Sequence, residues 1–394
     1  MKAMKDSGME WIGKVPVNWD IIRIGALYSV RAKKVSDEDF PPLSVTKNGI
    51  LPQLENVAKT DDRDNRKLVR EGDFVINSRS DRRGSCGIST MDGSVSLINI
   101  VAYPHVTIYP GYYNWLFHSS LFADEFYAYG HGIVDDLWTT NWTDMKKISV
   151  PYPSYEIQKS ISLYLDTKCA EIDALMEDIK AEITTLEEYK KSLITETVTK
   201  GLNTDVELKD SGVEWMGKIP KSWDIHKAKY HIIITNGSNP HLSGDTPVYG
   251  SGTCSFKTCG EYKEGPCVLV GRKGSIATPQ YIDSKYWNVD TAFDVKPQKG
   301  MILRYYYYLA SSFDYLFYIS QTTVPSMKQS DYQNMKLPIP SFSEQGAIVS
   351  FLDTKCVEID TIINAKKEQL TTLDEYKKSL IYEYATGKKE IPQS

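Results

Sequence analysis

The chain has 394 residues, of which 41% are hydrophobic and 25% charged, and its formal net charge is −5. These values are ordinary for a globular protein, and the length allows two or three domains with their own cores. No run of eighteen apolar residues occurs and the first twenty residues are too polar for a signal peptide, so we expect a cytoplasmic location. The acidic balance argues weakly against a general nucleic-acid binder.

The first element is a short phrase, DSGMEWIGKVPVNWDI at residues 6–21. It returns as DSGVEWMGKIPKSWDI at residues 210–225, with eleven of sixteen positions identical. Gly13 and Gly217 suit turns, and a proline in each copy excludes a helix interior. We predict that the tryptophans of both copies pin an extended segment onto a neighbouring surface, and a ligand-binding role is the alternative. These tryptophans are Trp11, Trp19, Trp215 and Trp223.

The next region, residues 22–155, has the pattern of a mixed α/β domain with many short strands. Within it EGDFVINSRSDRRGSCGIST, residues 71–90, predicts a strand that ends in a basic turn containing Arg79, Arg82 and Arg83. Such a turn can offer arginines to DNA phosphates or base edges. The alternatives are ion pairs with the nearby Asp73 or Asp81, or charges that only face solvent.

Residues 156–200 predict one long helix with a narrow apolar stripe. Two phrases of this helix, LDTKCAEID and TTLEEYKKSLI, return 187 residues later as LDTKCVEID and TTLDEYKKSLI in the segment 343–394. Apolar residues follow one another at steps of three and four, as in a coiled-coil seam, and Lys366 breaks the second copy once. The seam comprises Leu165, Cys169, Ile172, Met176, Ile179, Ile183, Leu186 and Leu193, then Leu352, Cys356, Ile359, Ile363, Leu370, Leu373 and Leu380.

Each of these helices should be about 60–68 Å long, at 1.5 Å per residue. Glu187 with Lys191 and Asp374 with Lys378 are acid-before-base pairs at i,i+4. A long helix with one narrow apolar stripe needs a partner helix. We predict that the two copies pair antiparallel within the chain, and an intermolecular coiled coil is the alternative.

The second variable region, residues 226–342, carries twelve Lys and Arg against eight Asp and Glu, a balance of +4. Here EGPCVLVGRKGSIATPQYI predicts a strand, a basic turn with Arg272 and Lys273, and a second strand, at a place comparable to the first basic turn. The spacing of GRKGS fits neither nucleotide-binding fingerprint, so exposure to nucleic acid is the better interpretation. The nearby cysteines lack metal-ligand spacing and are predicted to be ordinary thiols, namely Cys254, Cys259 and Cys267.

The N-terminal segment thus recurs in the middle of the chain, which indicates two half-proteins fused in tandem. The variable regions cannot be aligned from their residues. The expected domains are an N-terminal segment 1–21 that packs with the C-terminal helix, a variable domain 22–155, a central long helix 156–200, a repeated linker 201–225, a second variable domain 226–342 and a C-terminal long helix 343–394.

These repeats give the sequence a specific resemblance over essentially its whole length. The duplicated phrases DSG-EW-GK-P--W, LDTK--EID and TTL-EYKKSLI resemble those of the DNA-specificity subunits of Type I restriction–modification systems. The segments GIVDDLWTTNWTDMKKISVPYPSYEIQ and TTVPSMKQSDYQNMKLPIPSFSEQ resemble the family's exits from its recognition domains, as GPCVLVGRKGS and YWNVDTAFDV resemble parts of its second domain. Glu344 and Gln345 match the Glu-Gln at the helix start, whereas Ile157 precedes Gln158 and leaves the first helix start in doubt.

The resemblance implies an α+β fold in which two mixed α/β target-recognition domains are separated by two long antiparallel coiled-coil helices, with a pseudo-twofold internal repeat. It implies a subunit without chemistry or cofactor of its own. Each domain would read half of a bipartite double-stranded DNA target, while the helices set the spacer and dock two methyltransferase subunits, with restriction/translocase subunits joining. The residues expected to contact DNA are Arg79, Arg82, Arg83, Arg272, Lys273, Ser275 and Lys328.

Two other classes of function stay open at this point. The chain lacks an N-P-P-[YF] motif, a P-loop motif and a convincing nuclease carboxylate cluster, which argues against a fragment of a self-contained DNA methyltransferase. The other alternative to a DNA-specificity subunit is a coiled-coil scaffold that does not contact nucleic acid.

Overall fold

The structure is a computed structural model and describes residues 3–53, 64–132, 138–319 and 324–392. Small parts of both predicted exits, residues 133–137 and 322–323, lie outside the described residues. The chain divides into two compact units, which we name unit 1 (Met1–Asp178 with Glu368–Ser394) and unit 2 (Ile179–Lys367).

Unit 1 begins with short strands and contains the first part of one long helix and the last part of another, both of which continue into unit 2. Its strands are β1 (Met4–Asp6), β2 (Lys14–Pro16), β3 (Asp20–Arg23), β4 (Tyr28–Val30), β5 (Lys34–Val35), β6 (Leu43–Thr46), β7 (Gly49–Pro52), β8 (Arg66–Val69), β9 (Phe74–Asn77), β10 (Cys86–Ile88), β11 (Gly93–Ser96), β12 (Asn99–Pro104) and β13 (Ser149–Tyr152). Its helices are α1 (Pro110–His118), α2 (Ser120–Ala128), α3 (Trp142–Met145) and the first part of α4 (Tyr155–Lys200).

The main sheet of unit 1 has the order β10-β9-β12-β4, with antiparallel neighbours. Successive side chains of a strand point to opposite faces. Phe74 and Ile76 of β9 accordingly join the core that contains α1 and α2, whereas Val75 joins a smaller core with the β6–β7 hairpin and β11. Both faces of the sheet are therefore covered, which explains the continuous apolar run of β9.

Unit 2 repeats this succession of elements. Its strands are β14 (Leu208–Asp210), β15 (Lys218–Pro220), β16 (Asp224–Lys227), β17 (Ile232–Asn236), β18 (Thr246–Tyr249), β19 (Lys257–Cys259), β20 (Cys267–Gly271), β21 (Gln280–Ile282), β22 (Trp287–Asn288), β23 (Ala292–Pro297) and β24 (Lys336–Ile339). Its helices are the last part of α4, then α5 (Leu303–Ser312), α6 (Gln329–Asn334) and the first part of α7 (Phe342–Ala385), which continues into unit 1.

The main sheet of unit 2 has the order β21-β20-β23-β17, which is the strand order of unit 1 repeated. Its second sheet, β19-β18-β22, contains a parallel pair between β18 and β22. The variable regions that could not be aligned from sequence thus share one framework. The mixed α/β domains and the internal repeat confirm the predicted fold class.

The repeated tryptophan phrase forms a β-hairpin in each unit, β1–β2 and β14–β15, with the same register: Met4 faces Pro16 as Leu208 faces Pro220. Trp11, Trp19 and Trp223 are buried, and Trp215 is half-buried against the core of unit 2. The predicted packing role of these tryptophans is therefore observed.

The end of each long helix carries a glycine that a tryptophan ring covers. Gly387 follows α7 and Gly201 follows α4, and both have left-handed φ angles, of 71° and 77°. A Cβ atom on Gly387 would lie 2.8 Å from the Trp19 ring, and one on Gly201 would lie 3.0 Å from the Trp223 ring. Only glycine combines this backbone conformation with so close a ring.

The first segment of the chain contacts the end of the last helix within unit 1. The Tyr382 hydroxyl donates a hydrogen bond to the carbonyl of Ile12 (3.1 Å). Tyr112 of α1 donates to the carbonyl of Ala385 at the end of α7 (2.7 Å), and Tyr305 of α5 donates in the same way to Val198 near the end of α4 (3.1 Å). Each variable domain is thus fastened to the end of one long helix.

Two buried glutamines fasten the starts of the long helices. The side-chain oxygen of Gln158 accepts the N–H of Tyr109 (2.8 Å) and its amide donates to the Pro153 carbonyl (2.8 Å). Gln345 does the same with Ile302 (2.8 Å) and Pro340 (3.1 Å). Because α4 begins at Tyr155 and α7 at Phe342, the departure at Ile157 does not move the helix start.

The two long helices pair antiparallel in both units, as predicted. In unit 1 the rings of Tyr164 and Tyr384 lie 4.6 Å apart and Asp173 pairs with Lys377. In unit 2 Lys190 pairs with Asp360. Every predicted seam residue is buried or half-buried.

Lys366, which interrupts the apolar seam, is accommodated between the helices by an ion pair with Glu182 of α4. Asp374 pairs with Lys378 as predicted (2.6 Å), while Glu187 lies 3.9 Å from Lys367 of the other helix.

The cysteines are free thiols, five of them buried and one, Cys254, exposed. Burial raises the pKa of several of these thiols, that of Cys169 to about 11 and that of Cys267 to about 12. No helix in the described part of the chain combines the length and the apolar character that crossing a bilayer requires.

Candidate nucleic-acid interface

The first basic turn follows strand β9 and is held by backbone hydrogen bonds to the segment that precedes α3. The Ser80 N–H donates to the Trp138 carbonyl (3.1 Å), and the Thr140 N–H donates to the Ser78 carbonyl (3.0 Å). Between these bonds, Arg79 and Thr139 form an isolated antiparallel bridge. The backbone of the turn is therefore fixed at its base, while its arginine side chains are exposed to solvent.

The second basic turn follows strand β20 and is held in the same way by the segment that precedes α6. The Gly274 N–H donates to the Pro325 carbonyl (2.9 Å), and the Met327 N–H donates to the Arg272 carbonyl (3.0 Å). Lys273 forms the isolated antiparallel bridge with Ser326.

The two turns are structurally equivalent. Asn77 ends β9 opposite Asn99 of β12, and Gly271 ends β20 opposite Ala292 of β23. Counting onward from these strand ends puts Arg79 and Lys273 at the same position, each in the bridge. The anchoring segments lie in the two segments that resemble the family's exits from its recognition domains. Their contact with the basic turns joins residues far apart in sequence, so it was not predicted from the sequence.

The arginines of the first turn are exposed but differ in their surroundings. Arg82 lies 3.6 Å from Asp81, and Arg83 pairs with Asp124 and lies over the Tyr127 ring at 5.9 Å. No ion pair of Arg79 is found among the residues that the structure describes. Arg79 is thus the arginine of this turn whose charge is least neutralised.

The other carboxylate that might have neutralised this turn has a different partner. Asp73 is buried and accepts two hydrogen bonds from the Arg31 guanidinium, at 2.6 and 2.9 Å. This pairing raises the pKa of Arg31, mainly through the hydrogen bonds. Of the two ion-pair partners considered from the sequence, Asp73 and Asp81, only Asp81 contacts an arginine of this turn, namely Arg82.

In the second turn Lys273 is exposed and Arg272 is half-buried. The Arg272 guanidinium donates to the Asp290 carbonyl (3.4 Å) and lies over the Phe293 ring at 5.8 Å. The Lys273 ammonium lies 3.9 Å from the Asp290 carboxylate, a loose contact between two half-exposed side chains. Lys273 is therefore the more accessible cation of this turn.

Ser275 and Lys328 complete the set predicted from sequence, and both are exposed. Ser275 lies in the second basic turn. Lys328 is the N-cap residue of α6, where its backbone N–H donates to Asp331 (2.9 Å), two residues beyond the bridge with Lys273. Arg272, Lys273, Ser275 and Lys328 thus occupy one neighbourhood of unit 2, and Arg79, Arg82 and Arg83 one turn of unit 1.

The described residues contain no group of three or more His, Cys, Asp or Glu side chains that could hold a metal ion. The chemistry on offer at both turns is that of cationic and hydroxyl hydrogen-bond donors on a rigid backbone, which suits phosphate oxygens and base edges.

A comparison with protein-family models finds one match, described as "Type I restriction modification DNA specificity domain", over residues 223–372. This range begins at Trp223, includes the second basic turn and ends in helix α7.

Two curated proteins of Methanocaldococcus jannaschii are similar to the chain. The specificity subunit of the type I restriction enzyme MjaVIII is 25% identical over 425 aligned positions, with 95% of this chain and 94% of that protein covered. A protein named as a specificity subunit of the type I restriction enzyme MjaX is 24% identical over 269 positions, which cover 63% of this chain and 61% of that relative's length.

Two solved structures share the fold. One, described as "Structural basis underlying complex assembly and conformational transition of the type I R-M system", has a TM-score of 0.68 at 16% identity and covers 94% of this chain and 98% of its own. The HsdS subunit from Thermoanaerobacter tengcongensis has a TM-score of 0.53 at 14% identity, with 95% and 98% covered.

Proposed function

Because this chain belongs to the DNA-specificity subunits of Type I restriction–modification systems, we propose that its two recognition domains each read one half of a bipartite DNA target. The long helices set the spacer between the half-sites and dock two methyltransferase subunits, with restriction/translocase subunits joining the complex. The chain itself is a non-catalytic subunit.

The observation that carries this proposal is the duplicated basic turn. Arg79 and Lys273 stand at equivalent places on equivalent backbone bridges, in domains whose other residues differ. A rigid anchor with a variable side chain is suited to reading different bases with one framework. Divergent domains on a common framework are what two different half-sites would require.

An exchange of domains tests the independence of the two halves. Residues 22–155 are replaced by the equivalent region of a relative, and the methylated positions are mapped in DNA from a host that expresses the matching methyltransferase. One half-site should change while the other and the spacer stay the same. The matched control exchanges residues 226–342 and should change the other half-site, whereas loss of both half-sites in either exchange contradicts modular reading.

The helices carry a duplicated surface suited to docking the same partner twice. On α4 Lys168 pairs with Glu171, and on α7 Lys355 pairs with Glu358, at 2.7 and 2.8 Å. In each unit an exposed tyrosine of the other helix interacts electrostatically with the lysine, Tyr376 in unit 1 and Tyr189 in unit 2. The pKa of both lysines is raised, chiefly by the hydrogen bond with the glutamate and to a lesser degree by the tyrosine.

The same surface continues along each helix with an exposed apolar residue, Leu175 or Ile362. These lie seven residues beyond Lys168 and Lys355 and so share their helix face. Exposed apolar residues rimmed by charges are typical of protein–protein contacts. Because both copies have the same chemistry, we assign them to two copies of one methyltransferase subunit.

Alanine at Tyr376 and Tyr189 tests this docking surface. The double variant should bind fewer methyltransferase subunits in light-scattering or native mass measurements, while each single variant keeps one. Alanine at the exposed Tyr155, at the start of α4, is the matched control. Undiminished two-to-one assembly in the double variant contradicts the assignment.

The two other functional classes are separated by direct binding measurements. A methyltransferase fragment would bind S-adenosylmethionine as the purified chain, and we expect no such binding. A scaffold would not alter DNA binding by the methyltransferase partner, whereas we expect the chain to confer a sequence-dependent gel shift.

A further inference from the structure

We propose that residues 250–257 of unit 2 form a second base-reading loop beside the second basic turn, with Phe256 making an apolar contact to a DNA base. This inference rests on the proposed function, because it concerns how the same recognition domain reads its half-site. The loop, GSGTCSFK, runs from the end of β18 to Lys257, the first residue of β19, and contains none of the residues predicted from sequence to contact DNA.

The loop is fastened to the basic turn by side chains that follow it. The Thr278 hydroxyl donates to the Ser251 carbonyl (3.1 Å), and the Gln280 amide donates to the Gly250 carbonyl (2.9 Å). The Ser251 hydroxyl also lies 3.3 Å from the point where a Cβ of Gly274 would stand. The loop and the basic turn therefore form one continuous surface.

The base of the loop is rigid, whereas its outer part is open. Phe256 donates its backbone N–H to the Val248 carbonyl (3.1 Å), and the Val289 N–H donates to the Tyr249 carbonyl (3.0 Å). Residues 252–258 are exposed, and the Phe256 side chain is 60% accessible. An aromatic ring on a fixed backbone loses little conformational entropy on binding, so it is well suited to recognition.

The side chains of the loop are suited to binding DNA. The Lys257 ammonium lies 5.6 Å from the centre of the Phe256 ring, which brings a phosphate-binding cation next to an apolar surface. Serine and threonine hydroxyls can contact any base edge, and phenylalanine can contact the methyl group of thymine. The basic turn supplies cations and the loop supplies hydroxyls and an apolar ring, which together give a groove reader more discrimination than charge alone.

Cys254 offers a reporter within the loop itself. It is the only exposed cysteine, while the other five are buried. The experiment treats the assembled methyltransferase complex with a maleimide and follows the Cys254 peptide of this chain by mass spectrometry. Target DNA should slow its alkylation at least tenfold, and non-target DNA of equal length should slow it less. Cys254→Ser supplies the background.

Substitution of the ring supplies the second measurement. Phe256→Ala should weaken binding to target DNA about tenfold and leave binding to non-target DNA unchanged, since an apolar base contact carries sequence information. Tyr262→Ala is the matched control. Tyr262 is an exposed aromatic residue beyond the other end of β19, with the Lys285 ammonium 4.3 Å from its ring centre, and its loss should not affect DNA binding.

The outcomes separate the loop from the function on which it rests. If the complex binds its target but Cys254 reacts as fast as in free protein and Phe256→Ala binds normally, the loop proposal is overturned alone. Equal protection by target and non-target DNA overturns its base-reading role. A complex that binds no DNA sequence preferentially overturns the proposed function and this inference together.

Discussion

The ammonium group of Lys190 lies 2.6 Å from the carboxylate of Asp360 and joins the two long helices within unit 2. Unit 1 contains the same pair with the helices exchanged, Lys377 with Asp173, also at 2.6 Å. The lysine side chains are about three-quarters covered, so these pairs fix the antiparallel register at two equivalent points.

Reversal of one charge should weaken the helix pair, and reversal of both should restore it. Asp360→Lys places two ammonium groups together, while Lys190→Asp with Asp360→Lys reforms the pair in the opposite sense. Urea unfolding of the four proteins should give a coupling free energy of about 0.5–1 kcal/mol, because the carboxylate remains half-exposed.

The control for this cycle is the pair Glu196–Lys200 on the surface of α4, whose members are four residues apart and largely exposed. It should couple by no more than about 0.5 kcal/mol. A Lys190–Asp360 coupling of zero would show that the apolar seam alone determines the register.

Replacement of either buried glutamine should destabilise the recognition domain that it fastens. Gln158→Leu leaves the Tyr109 N–H and the Pro153 carbonyl without their partner, and Gln345→Leu does so for Ile302 and Pro340. An unsatisfied buried polar group costs about 1–3 kcal/mol, so the free energy of unfolding should fall by at least that amount in urea titrations.

Ser160→Ala, at an exposed position of α4, is the matched control and should change stability by less than about 0.5 kcal/mol. Gln158→Leu and Gln345→Leu act in different units, so their effects should add. Strong non-additivity would contradict the independent fastening of the two domains.

These contacts show what a single sequence can and cannot predict. The apolar seam of the long helices could be predicted from residue spacing alone, because the helical repeat determines which side chains lie on one face of each helix. The pair Lys190–Asp360 depends on the register between two helices, which neither helix encodes by itself. Gln158 and Gln345 occupy equivalent places at the starts of the long helices, but the N–H groups that they accept belong to Tyr109 and Ile302, which immediately precede helices α1 and α5 of the variable regions.

In the candidate interface, too, the local features could be predicted from the sequence and the long-range contacts could not. The basic turns could be predicted because arginine and lysine beside glycine form a local signal. That Arg272 lies against Phe293 and Arg83 against Asp124 is a matter of long-range packing. The loop 250–257 has only glycine and small polar residues before Phe256, so nothing local distinguishes it from an ordinary hairpin connection.

Alanine substitutions in the basic turns should separate base reading from phosphate binding. Arg79→Ala and Lys273→Ala should have the largest effects, because their charges are exposed and least neutralised. A base contact would cost about 1–3 kcal/mol of discrimination at one position, and a phosphate contact would weaken binding to all sequences and lower the salt slope by about one.

Arg83→Ala is the control within the same turn, since Asp124 already occupies its guanidinium. The readout is binding of target and non-target DNA by the assembled complex at several salt concentrations. If alanine at Arg79, Arg82, Arg83, Arg272 and Lys273 together left affinity and site unchanged, the turns would not face DNA.

Acid should destabilise unit 2 through His231. Burial lowers the pKa of this histidine below its usual 6.5, and the neighbouring His226 lowers it further. The His226 Nδ1 and His231 Nε2 atoms lie 2.8 Å apart in stacked rings, a contact that requires one nitrogen without a proton. The unfolded chain therefore binds a proton at a higher pH than the folded chain does.

The stability that His231 contributes should be complete above pH 6.5 and should be lost as the pH falls through the lower pKa of the folded state. Urea unfolding between about pH 7.5 and 5 should show this loss in the wild type and a flatter dependence in His231→Gln. His118 in unit 1, whose pKa burial also lowers, should contribute separately. An unchanged pH slope in His231→Gln would contradict the prediction.

The length of helix α4 provides the test of the proposed spacer. The helix is continuous from Tyr155 to Lys200, so four residues inserted after Leu186 add about 6 Å, close to two base-pair steps of about 3.4 Å. Lys190–Asp360 and Glu182–Lys366 flank this point, and Ile363 lies between their partners on α7. A matched insertion after Ile363 keeps both ion pairs possible. Methylation mapping should show the same half-sites with a spacer longer by one or two base pairs.

A two-residue insertion at the same points is the control. Four residues turn the apolar stripe by about 40°, within what the seam can accommodate, whereas two residues turn it by about 200° and place it in solvent. The two-residue variant should therefore unfold more easily and lose methylation. An active four-residue variant with an unchanged spacer would remove the helices from spacer selection, and full activity of the two-residue variant would show that seam packing does not hold the helices together.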